Sequence, residues 1–449
     1  MWDFISNFNT ALSDFVWSPF MLGAFLITGL LFTVGTGFYQ VRCFGEWFSH
    51  TFVSIFKSGS AHIGDKKALS PFQTFATAIA SSAGTGNIAG VATALVIGGP
   101  GAVLWMWISA FLGMMTMFAE NALGIKYRYK NHKGEWVGGA FLYIEKGLGM
   151  KAPAIVYLVF CILSSFGTGN AVQANSVADA LRHSFDISPL TTGLSLAIAG
   201  GIVIFGGMRS VASANEKIIP FMLIGYILGG IACIIANLSA LPSAIMLILR
   251  EALCVKSATG GVIGYGISKS MRYGIARGVF SNEAGIGTSA LANSFTAKNN
   301  PAEQGMWGIF QVFADTTVVC TITALAILTS GVFNPASSLT SSALAAKAFG
   351  ATFGDFGDVF VSISTLFFGF STIISWSLFG SKCVEYLFGE KATVIYKAFY
   401  TAFILIGSVT QLELVWQITE TLNGLMAIPN LIALLLLSPQ VFAIMKNRR

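Results

Sequence analysis

The sequence is short of charged residues. Only 10% of its 449 residues are Asp, Glu, Lys or Arg, whereas a soluble protein carries roughly 25%. So few charges cannot cover the surface of a water-soluble chain of this length. This argues against a soluble multidomain enzyme, a disordered chain and a nucleic-acid-binding protein. Hydrophobic residues make up 54% of the chain, which is the composition of a polytopic membrane protein. The net charge of +6 does not indicate a nucleic-acid partner, because basic residues also fix the topology of membrane proteins.

Histidines and paired cysteines are scarce as well. The 4 histidines all fall between apolar runs, and the 6 cysteines never form a C-x-x-C pair. A disulfide framework, a metal-thiolate site, haem ligation and a histidine proton relay are therefore not expected. No His, Cys or carboxylate cluster has the spacing of a catalytic centre, which disfavours a membrane enzyme.

What the sequence has in abundance is long apolar runs. A membrane-spanning helix needs about 20 mostly apolar residues, and eleven runs in this chain meet that need. Several of them exceed 25 residues and contain glycine, which predicts tilted or interrupted helices. The stretch 241–253 is too short to span and is expected in the interface. The predicted spans are 17–38, 71–98, 101–124, 153–180, 190–207, 216–238, 260–296, 305–332, 356–383, 393–411 and 414–445.

The basic residues predict an orientation for these spans. With the N-terminus outside, 18 of the 26 Lys and Arg residues fall in inside segments, 4 fall in outside segments and 4 fall within spans. Basic residues concentrate on the cytoplasmic side of membrane proteins. The sequence therefore predicts a multi-pass protein of the cell membrane with its N-terminus outside and its C-terminus in the cytoplasm, which requires an odd number of spans.

The second span contains an unusual run of small and polar residues. The segment 78–93, AIASSAGTGNIAGVAT, places helix-weakening residues at mid-depth. An unwound turn there would free the N–H groups of Thr85 and Gly86 for a carboxylate and the carbonyls of residues 80–83 for a cation. A small-residue packing face explains this stretch equally well when it is considered alone.

A second interruption favours the first of these two interpretations. The segment 273–291, YGIARGVFSNEAGIGTSAL, places Arg277 and Glu283 within the seventh predicted span. Ionisable residues inside spans are rare and usually functional, although a short polar loop remains an alternative. Interruptions at matching positions of two halves indicate an inverted-repeat secondary transporter with its site at the repeat interface.

These observations predict an all-α membrane protein of about eleven transmembrane helices, in which one N-terminal helix precedes a 5+5 inverted-repeat core. The predicted divisions are an N-terminal helix and cytoplasmic loop at 1–69, a first five-helix repeat at 70–238, an interfacial connector at 239–259, and a second, inverted repeat with a short basic tail at 260–449.

Five strings carry a resemblance to a known family. The strings GTGNIAGVAT, GGPGAVLWMW, FGTGNAVQANSVADA, RGVFSNEAGIG and TLNGLMAIPNLIALLLLS occur in this order. With them the chain resembles the alanine/glycine:cation symporter family, which has the leucine-transporter-like inverted-repeat fold of the amino acid-polyamine-organocation superfamily. The resemblance covers residues 17–438. It implies sodium-driven uptake of small amino acids, chiefly alanine and glycine.

The resemblance also implies a set of site residues. The backbone N–H groups of Thr85 and Gly86 would hold the substrate carboxylate, with Gln173 orienting it. The carbonyls of Phe280 to Asn282 would take the ammonium group. The further residues implied at the amino-acid site are Ser82, Asn87, Ser281, Glu283 and Trp376, with Phe280 and Trp376 bounding the side-chain pocket. The Na⁺ coupling ion would bind the carbonyls of Ala80 and Ala83 and the hydroxyls of Ser371 and Thr372.

Two further acids lie in apolar runs. Glu120 and Asp315 could each bind a coupling ion, carry a proton or pair with Arg277. A structural pairing is expected for Glu120, and pairing and coupling are equally compatible with Asp315.

The function predicted from the sequence is sodium-coupled symport of small neutral amino acids such as alanine, glycine, D-alanine or serine, by alternating access. The expected partners are the amino acid, Na⁺ and the lipid bilayer, with no nucleic acid. Proton coupling through Glu283 or Asp315 is the alternative of the same fold, and a channel is the alternative of another class.

Overall fold

The structure is a computed structural model that describes residues 2–57, 68–253, 260–334, 341–410 and 412–448. Helices dominate these residues, and the single β-ladder found in them is a short antiparallel pair. The elements of the first half are α1 (Trp2–Val16), α2 (Pro19–Gly35), α3 (Tyr39–Arg42), α4 (Phe44–Phe48), α5 (Ser54–Lys57), α6 (Pro71–Ser82), α7 (Ala89–Gly98), α8 (Ala102–Tyr127), β1 (Tyr129–Lys130), β2 (Trp136–Val137), α9 (Ala140–Leu142), α10 (Lys151–Phe166), α11 (Val172–Phe185), α12 (Pro189–Phe205), α13 (Gly207–Ala236) and α14 (Leu241–Leu253).

The second half continues the helical pattern. Its elements are α15 (Gly260–Asn282), α16 (Thr288–Asn293), α17 (Pro301–Val312), α18 (Thr321–Thr329), α19 (Ser341–Phe353), α20 (Asp355–Phe388), α21 (Glu390–Val409), α22 (Leu412–Leu436) and α23 (Ser438–Lys446). Short π-helical turns join α10 to α11 at Gly167–Ala171 and α17 to α18 at Phe313–Cys320.

The outer helices expose large apolar side chains. Ile202 on α12, Phe221 on α13 and Phe399 on α21 are 74%, 69% and 67% exposed. Exposure of this kind along long apolar helices is unfavourable in water and suits contact with lipid. The chain is therefore an all-helical, multi-pass membrane protein.

Eight helical stretches of the described residues are long and apolar enough to cross a membrane. Three of the eleven predicted spans are missing from these eight. The spans 71–98 and 260–296 are each interrupted, and the span 190–207 corresponds to the shorter helix α12. The count of eleven and the division into repeats remain predictions. Of the basic residues that predict orientation, Lys66, Lys67, Lys256 and Arg449 lie outside the described residues.

Three details differ from the sequence expectation. The last span, predicted to run to residue 445, ends at Leu436, because Leu437 caps a separate helix, α23, which has Pro439 in its first turn. Residues 2–16, which were assigned no element, form α1, and this helix packs on α22. A further helix, α19, also lies between two predicted spans.

The core places the two interrupted helices at its centre. Helix α6 packs against α13 and α20, while α15 packs against α7 and α8. A capping box fixes the start of α6: Ser70 Oγ accepts the Gln73 N–H at 3.0 Å, and Gln73 Oε1 accepts the Ser70 N–H at 3.2 Å. Such a cap satisfies N–H groups that a helix start leaves unpaired.

Candidate functional site

The first interruption separates α6 from α7. Gly84 is extended, with φ −108° and ψ −157°, and a single 3₁₀ turn at Thr85–Asn87 leads into α7. The N–H of Gly84 donates to Ser82 O at 2.8 Å, which releases the carbonyl of Ala80 from the helix. The predicted unwinding at mid-span is confirmed.

Gln173 on α11 controls this turn. Its Oε1 accepts the Thr85 N–H at 3.0 Å, and its Nε2 donates to Thr168 O at 2.9 Å. The expectation that the Thr85 N–H is free for a substrate carboxylate is therefore not met in this conformation. A carboxylate can use this N–H only after the bond to Gln173 opens.

The four residues expected to bind Na⁺ lie where α20 meets this break. Thr372 Oγ1 donates to Ala80 O at 2.8 Å, and Ala83 forms the C-terminal cap of the same helix. Ser371 Oγ instead donates to Phe368 O of its own helix at 3.0 Å. A Cβ on Gly84 would lie 2.7 Å from Thr372 Oγ1, so the glycine is what allows α20 to approach. Carbonyl and hydroxyl oxygens at a broken helix are suitable ligands for Na⁺.

The second interruption separates α15 from α16. Glu283 has φ +60°, and Gly285 and Gly287 have φ +93° and +88°. The left-handed conformation costs a residue with a side chain roughly 1–2 kcal/mol. Glycine supplies this conformation without that cost at two of the three positions, whereas Glu283 must be held in it by its contacts.

The turn frees the carbonyls of Phe280, Ser281 and Asn282. Each would accept an N–H from four residues ahead if α15 continued, and each of those N–H groups is diverted. The diverted bonds are Ala284 N–H to Asn282 Oδ1 at 2.9 Å, Gly285 N–H to Glu120 Oε1 at 2.9 Å, and Ile286 N–H to Glu283 O at 3.1 Å. These are the carbonyls for which binding of an ammonium group was expected.

Glu283 ties both interruptions to α20. Its Oε1 accepts the indole N–H of Trp376 at 3.0 Å, and its Oε2 accepts the hydroxyls of Thr288 at 2.5 Å and Ser81 at 3.4 Å. Trp376 Nε1 also lies 3.2 Å from Ser81 O. The side chains of Glu283 and Trp376 thus meet beside the freed carbonyls of the first break.

Asp315 joins the two interruptions on another side. Its Oδ2 accepts the Ser281 and Thr316 hydroxyls at 2.7 and 2.8 Å, and its Oδ1 accepts Asn87 Nδ2 at 2.8 Å. Arg277 pairs with Glu420 instead, with Nη2 2.7 Å from Glu420 Oε1.

Glu120 has a structural role other than the expected pairing. Its Oε1 accepts the Gly285 N–H and Asn430 Nδ2 at 2.9 and 2.7 Å, so it holds the second turn in place through the backbone. Its Oε2 has no hydrogen-bond partner among the described residues. A sequence motif could not reveal this contact, because the partner is a main-chain N–H far along the chain.

Phe280 has an aromatic partner on another helix. Its ring packs on Trp416 of α22, with centroids 4.9 Å apart. A Cβ on Gly86 would lie 3.3 Å from Phe280. Phe280 therefore borders the first break, and its aromatic partner comes from a helix for which the sequence predicts no site residue. That Phe280 and Trp376 bound the side-chain pocket remains a prediction.

Gln311 on α17 is a site residue that sequence reasoning missed. Its Nε2 donates to Ala78 O and to Ser82 Oγ, both at 3.2 Å, and its Oε1 accepts the Ser289 hydroxyl at 3.0 Å. It thereby bridges α6 and α16. The sequence did contain a signal for this residue. Gln311 lies four residues before Asp315 in an apolar run, and this spacing places both side chains on one helical face.

The site is closed on two sides. Towards α1 it is covered by Phe280 and Trp416. On the opposite side a backbone bridge joins the start of α6 to the end of α16, with Leu69 N–H donating to Phe295 O at 2.9 Å. Arg128 Nη1 donates to Ser294 O and Thr296 O, both at 2.7 Å. The predicted site residues are buried throughout.

Three carboxylates are buried in this region. Glu120, Glu283 and Asp315 form no ion pair within the described part of the chain. Buried charge is costly unless it is compensated. A bound cation or a bound proton would lower this cost.

Known proteins resemble this chain along almost its whole length. The profile of the sodium:alanine symporter family matches residues 2–448. A sodium/alanine symporter, AgcS, of Methanococcus maripaludis is 42% identical over 97% of this chain and 95% of that protein. A putative sodium/proton-dependent alanine carrier, YrbD, of Bacillus subtilis is 35% identical over 100% and 92%.

Among solved structures, a Na⁺-coupled sialic acid symporter in a substrate-bound outward-open state matches with a TM-score of 0.54. It is 14% identical and covers 89% of this chain and 81% of that one. At this identity the match concerns the fold alone.

Proposed function

The chain belongs to the sodium:alanine symporter family and is a cation-coupled amino-acid symporter, and we propose that its coupling ion is Na⁺ and its substrates are small neutral amino acids such as alanine and glycine. D-alanine and serine are included in the proposed range. The amino acid binds between the two interruptions, and Na⁺ binds the oxygens of Ala80, Ala83, Ser371 and Thr372.

The observation that carries this proposal is the meeting of two broken helices. The first break offers released carbonyls beside Thr372 and, once the bond to Gln173 opens, the Thr85 N–H, and the second break offers the carbonyls of residues 280–282. A zwitterion needs donors for its carboxylate and acceptors for its ammonium group. The two breaks provide both within one buried region, with Phe280 and Gln173 limiting its size.

Coupling to Na⁺ supplies the work of accumulation. One inward charge across 100 mV releases about 2.3 kcal/mol, enough for roughly a 50-fold gradient of the amino acid. Alternating access requires the closures on the two sides of the site to open in turn. The ring contact of Phe280 with Trp416 closes one side, and the Leu69–Phe295 bridge closes the other.

Uptake into proteoliposomes tests the proposal. Radiolabelled alanine should accumulate only with an inward Na⁺ gradient, and equal uptake with and without the gradient would refute sodium coupling. Thr372→Val removes the hydroxyl beside Ala80 and should raise the Na⁺ concentration for half-maximal uptake about tenfold. Thr365→Val on the same helix is the matched control, because Thr365 Oγ1 bonds only its own helix, at Val361 O.

Proton coupling is the second candidate. Glu283 and Asp315 are buried without ion pairs among the described residues, and a proton would neutralise either one. A relative whose name includes sodium/proton dependence also favours testing it. Uptake driven by a pH gradient in Na⁺-free buffer would support this candidate. A channel would instead show uptake that does not saturate.

The proposed orientation places the N-terminus outside and the C-terminus in the cytoplasm. Single cysteines introduced at Asp186 and at Asn447, in a chain without its native cysteines, would test it with a membrane-impermeant maleimide on intact cells. Asp186 should be labelled and Asn447 should not. The reverse pattern would contradict the orientation.

A further inference from the structure

A second cavity lies outside the buried site. It has a volume of about 210 Å³ and is lined by residues of α1, α15 and α22 and by Trp17. This is roughly the volume of seven water molecules and below the range of pockets for drug-sized ligands, about 300–1,000 Å³. It therefore suits a ligand of few atoms. We call it the α1 cavity.

Three buried N–H donors in the lining of the α1 cavity lack partners. Asn9 Nδ2, Trp17 Nε1 and Arg277 Nη1 have no hydrogen-bond acceptor in the part of the chain that the structure describes. Asn9, Trp17 and Arg277 are 8%, 3% and 7% exposed. Leaving one buried donor unpaired costs about 1–3 kcal/mol. Three such donors around one cavity indicate a ligand with acceptor oxygens.

The charged side chains of the cavity balance one another. Arg277 lies 2.7 Å from Glu420, and Arg272 at the rim lies 2.8 Å from Asp14. Two positive and two negative charges leave no net charge on the lining. A simple anion or cation would disturb this balance, whereas a zwitterion would preserve it. The two carboxylates also offer acceptors for an ammonium group.

A continuous set of ring contacts connects this cavity to the buried site. The Arg277 guanidinium lies 4.5 Å from the Trp416 ring centroid, Trp416 packs on Phe280, and Phe280 borders Gly86. The cavity is thus next to the closure that separates the broken helices from the side of α1.

From this geometry we propose that the α1 cavity is a second amino-acid site, in which the substrate waits before the Phe280 and Trp416 closure opens. The substrate carboxylate accepts hydrogen bonds from Arg277, Asn9 and Trp17, and its ammonium group contacts Glu420. The choice of ligand rests on the proposed function of amino-acid transport. The site requires α1, which packs on α22.

Binding stoichiometry provides the test. Purified full-length protein in lipid nanodiscs with saturating Na⁺ should bind two molecules of radiolabelled alanine per chain in equilibrium dialysis. Gly84→Ala places a Cβ 2.7 Å from Thr372 Oγ1 and 2.9 Å from Gln173 Oε1 and should leave one molecule bound, in the α1 cavity. One molecule bound by the wild type and none by Gly84→Ala would overturn the proposal.

Removal of a single N–H group locates the second molecule. Trp17→Phe keeps an aromatic ring but lacks the indole donor, so in the Gly84→Ala background it should weaken alanine binding about tenfold. Trp105→Phe in the same background is the matched control. The Trp105 indole nitrogen is also buried and unpartnered among the described residues but does not line the cavity. Equal affinities of the two variants would contradict the assignment.

Ligand chemistry provides the last discrimination. Alanine should bind the Gly84→Ala protein at least tenfold more tightly than propionate, which has the carboxylate but no ammonium group. Glu420→Gln should reduce that preference. Equal binding of alanine, propionate and chloride would show an anion site and overturn the proposal. If the wild type showed no Na⁺-driven uptake, the proposed sodium symport would be wrong. Binding of two alanine molecules per chain would still support the second amino-acid site in the α1 cavity.

Discussion

The two interruptions reach similar backbone openings by different chemistry. The first, between α6 and α7, consists of small and neutral residues, and its Thr85 N–H donates to the neutral amide of Gln173. Asn87, at the end of the turn, also donates to Asp315. The second, between α15 and α16, is held by two carboxylates: Glu283 contacts Trp376 and Thr288, while Glu120 receives the Gly285 N–H.

This difference predicts different roles for the two breaks. Neutral contacts with Gln173 and Thr372 can open and close at little electrostatic cost, as expected of a turn that releases its N–H and carbonyl groups to ligands. Carboxylates fixed by several donors keep the second turn in a conformation that is costly for Glu283. We therefore expect the first break to be sensitive to volume and the second to be sensitive to charge.

The largest effect is expected at Gly84. Alanine there would clash with Thr372 Oγ1 and Gln173 Oε1, and overpacking costs typically 1–3 kcal/mol, so alanine uptake should fall by up to about 100-fold. Gly90→Ala is the control in the same segment, because its nearest neighbours lie 4.0 Å away. Uptake rates in proteoliposomes, measured at equal protein incorporation, compare the two. Comparable uptake rates of the two variants would show that the volume of the side chain at position 84 does not limit transport.

Glu283→Gln should have the next largest effect. Both carboxylate oxygens accept hydrogen bonds, and an amide places an N–H₂ group where one of them accepts. Hydrogen bonds to a charged group contribute about 1.5–3 kcal/mol, so uptake should fall about 10- to 100-fold. Glu303→Gln, at a partly exposed ion pair with Lys298, should transport normally. If Glu283→Gln took up alanine at the wild-type rate, the second break would not be sensitive to charge, and the expected difference between the two breaks would be wrong.

Glu120→Gln should have the smallest effect. Only Oε1 of Glu120 has hydrogen-bond partners in the described residues, and an amide oxygen can replace it, so uptake should stay within about threefold of wild type. Glu120→Leu leaves the Gly285 N–H and Asn430 Nδ2 unpaired and should lower stability by about 1–3 kcal/mol, measured as a lower midpoint of thermal unfolding. Loss of ion coupling in Glu120→Gln would instead identify Glu120 as an ion carrier.

The sequence predicted the helices and the breaks well for clear physical reasons. Apolar runs of about 20 residues have few alternatives to a membrane helix, and glycine, serine and a buried acid within such a run mark a break. Asn170 and Asn175, on either side of Gln173, donate hydrogen bonds to Tyr400 O and Gly407 O of α21.

The partners of the site side chains were less predictable. From the sequence, a structural pairing was expected for Glu120, and Arg277 was a candidate partner of Asp315. The structure pairs Arg277 with Glu420 instead. The contact of Phe280 with Trp416 was likewise not predicted. Each of these contacts joins residues more than 100 positions apart or depends on the rotation of a helix, and a single sequence does not contain that information.

The sequence by itself determined the membrane class of this protein, its helical spans and the positions of its two breaks, because the cost of polar groups in lipid acts on local composition. The tertiary structure alone decided which partners bind the backbone N–H and carbonyl groups that the two breaks free. It also showed that residues 2–16 form a helix beside a cavity whose lining holds three buried donors without a partner among the described residues. Those outcomes depend on the directions of side chains from distant helices, which follow from packing rather than from composition.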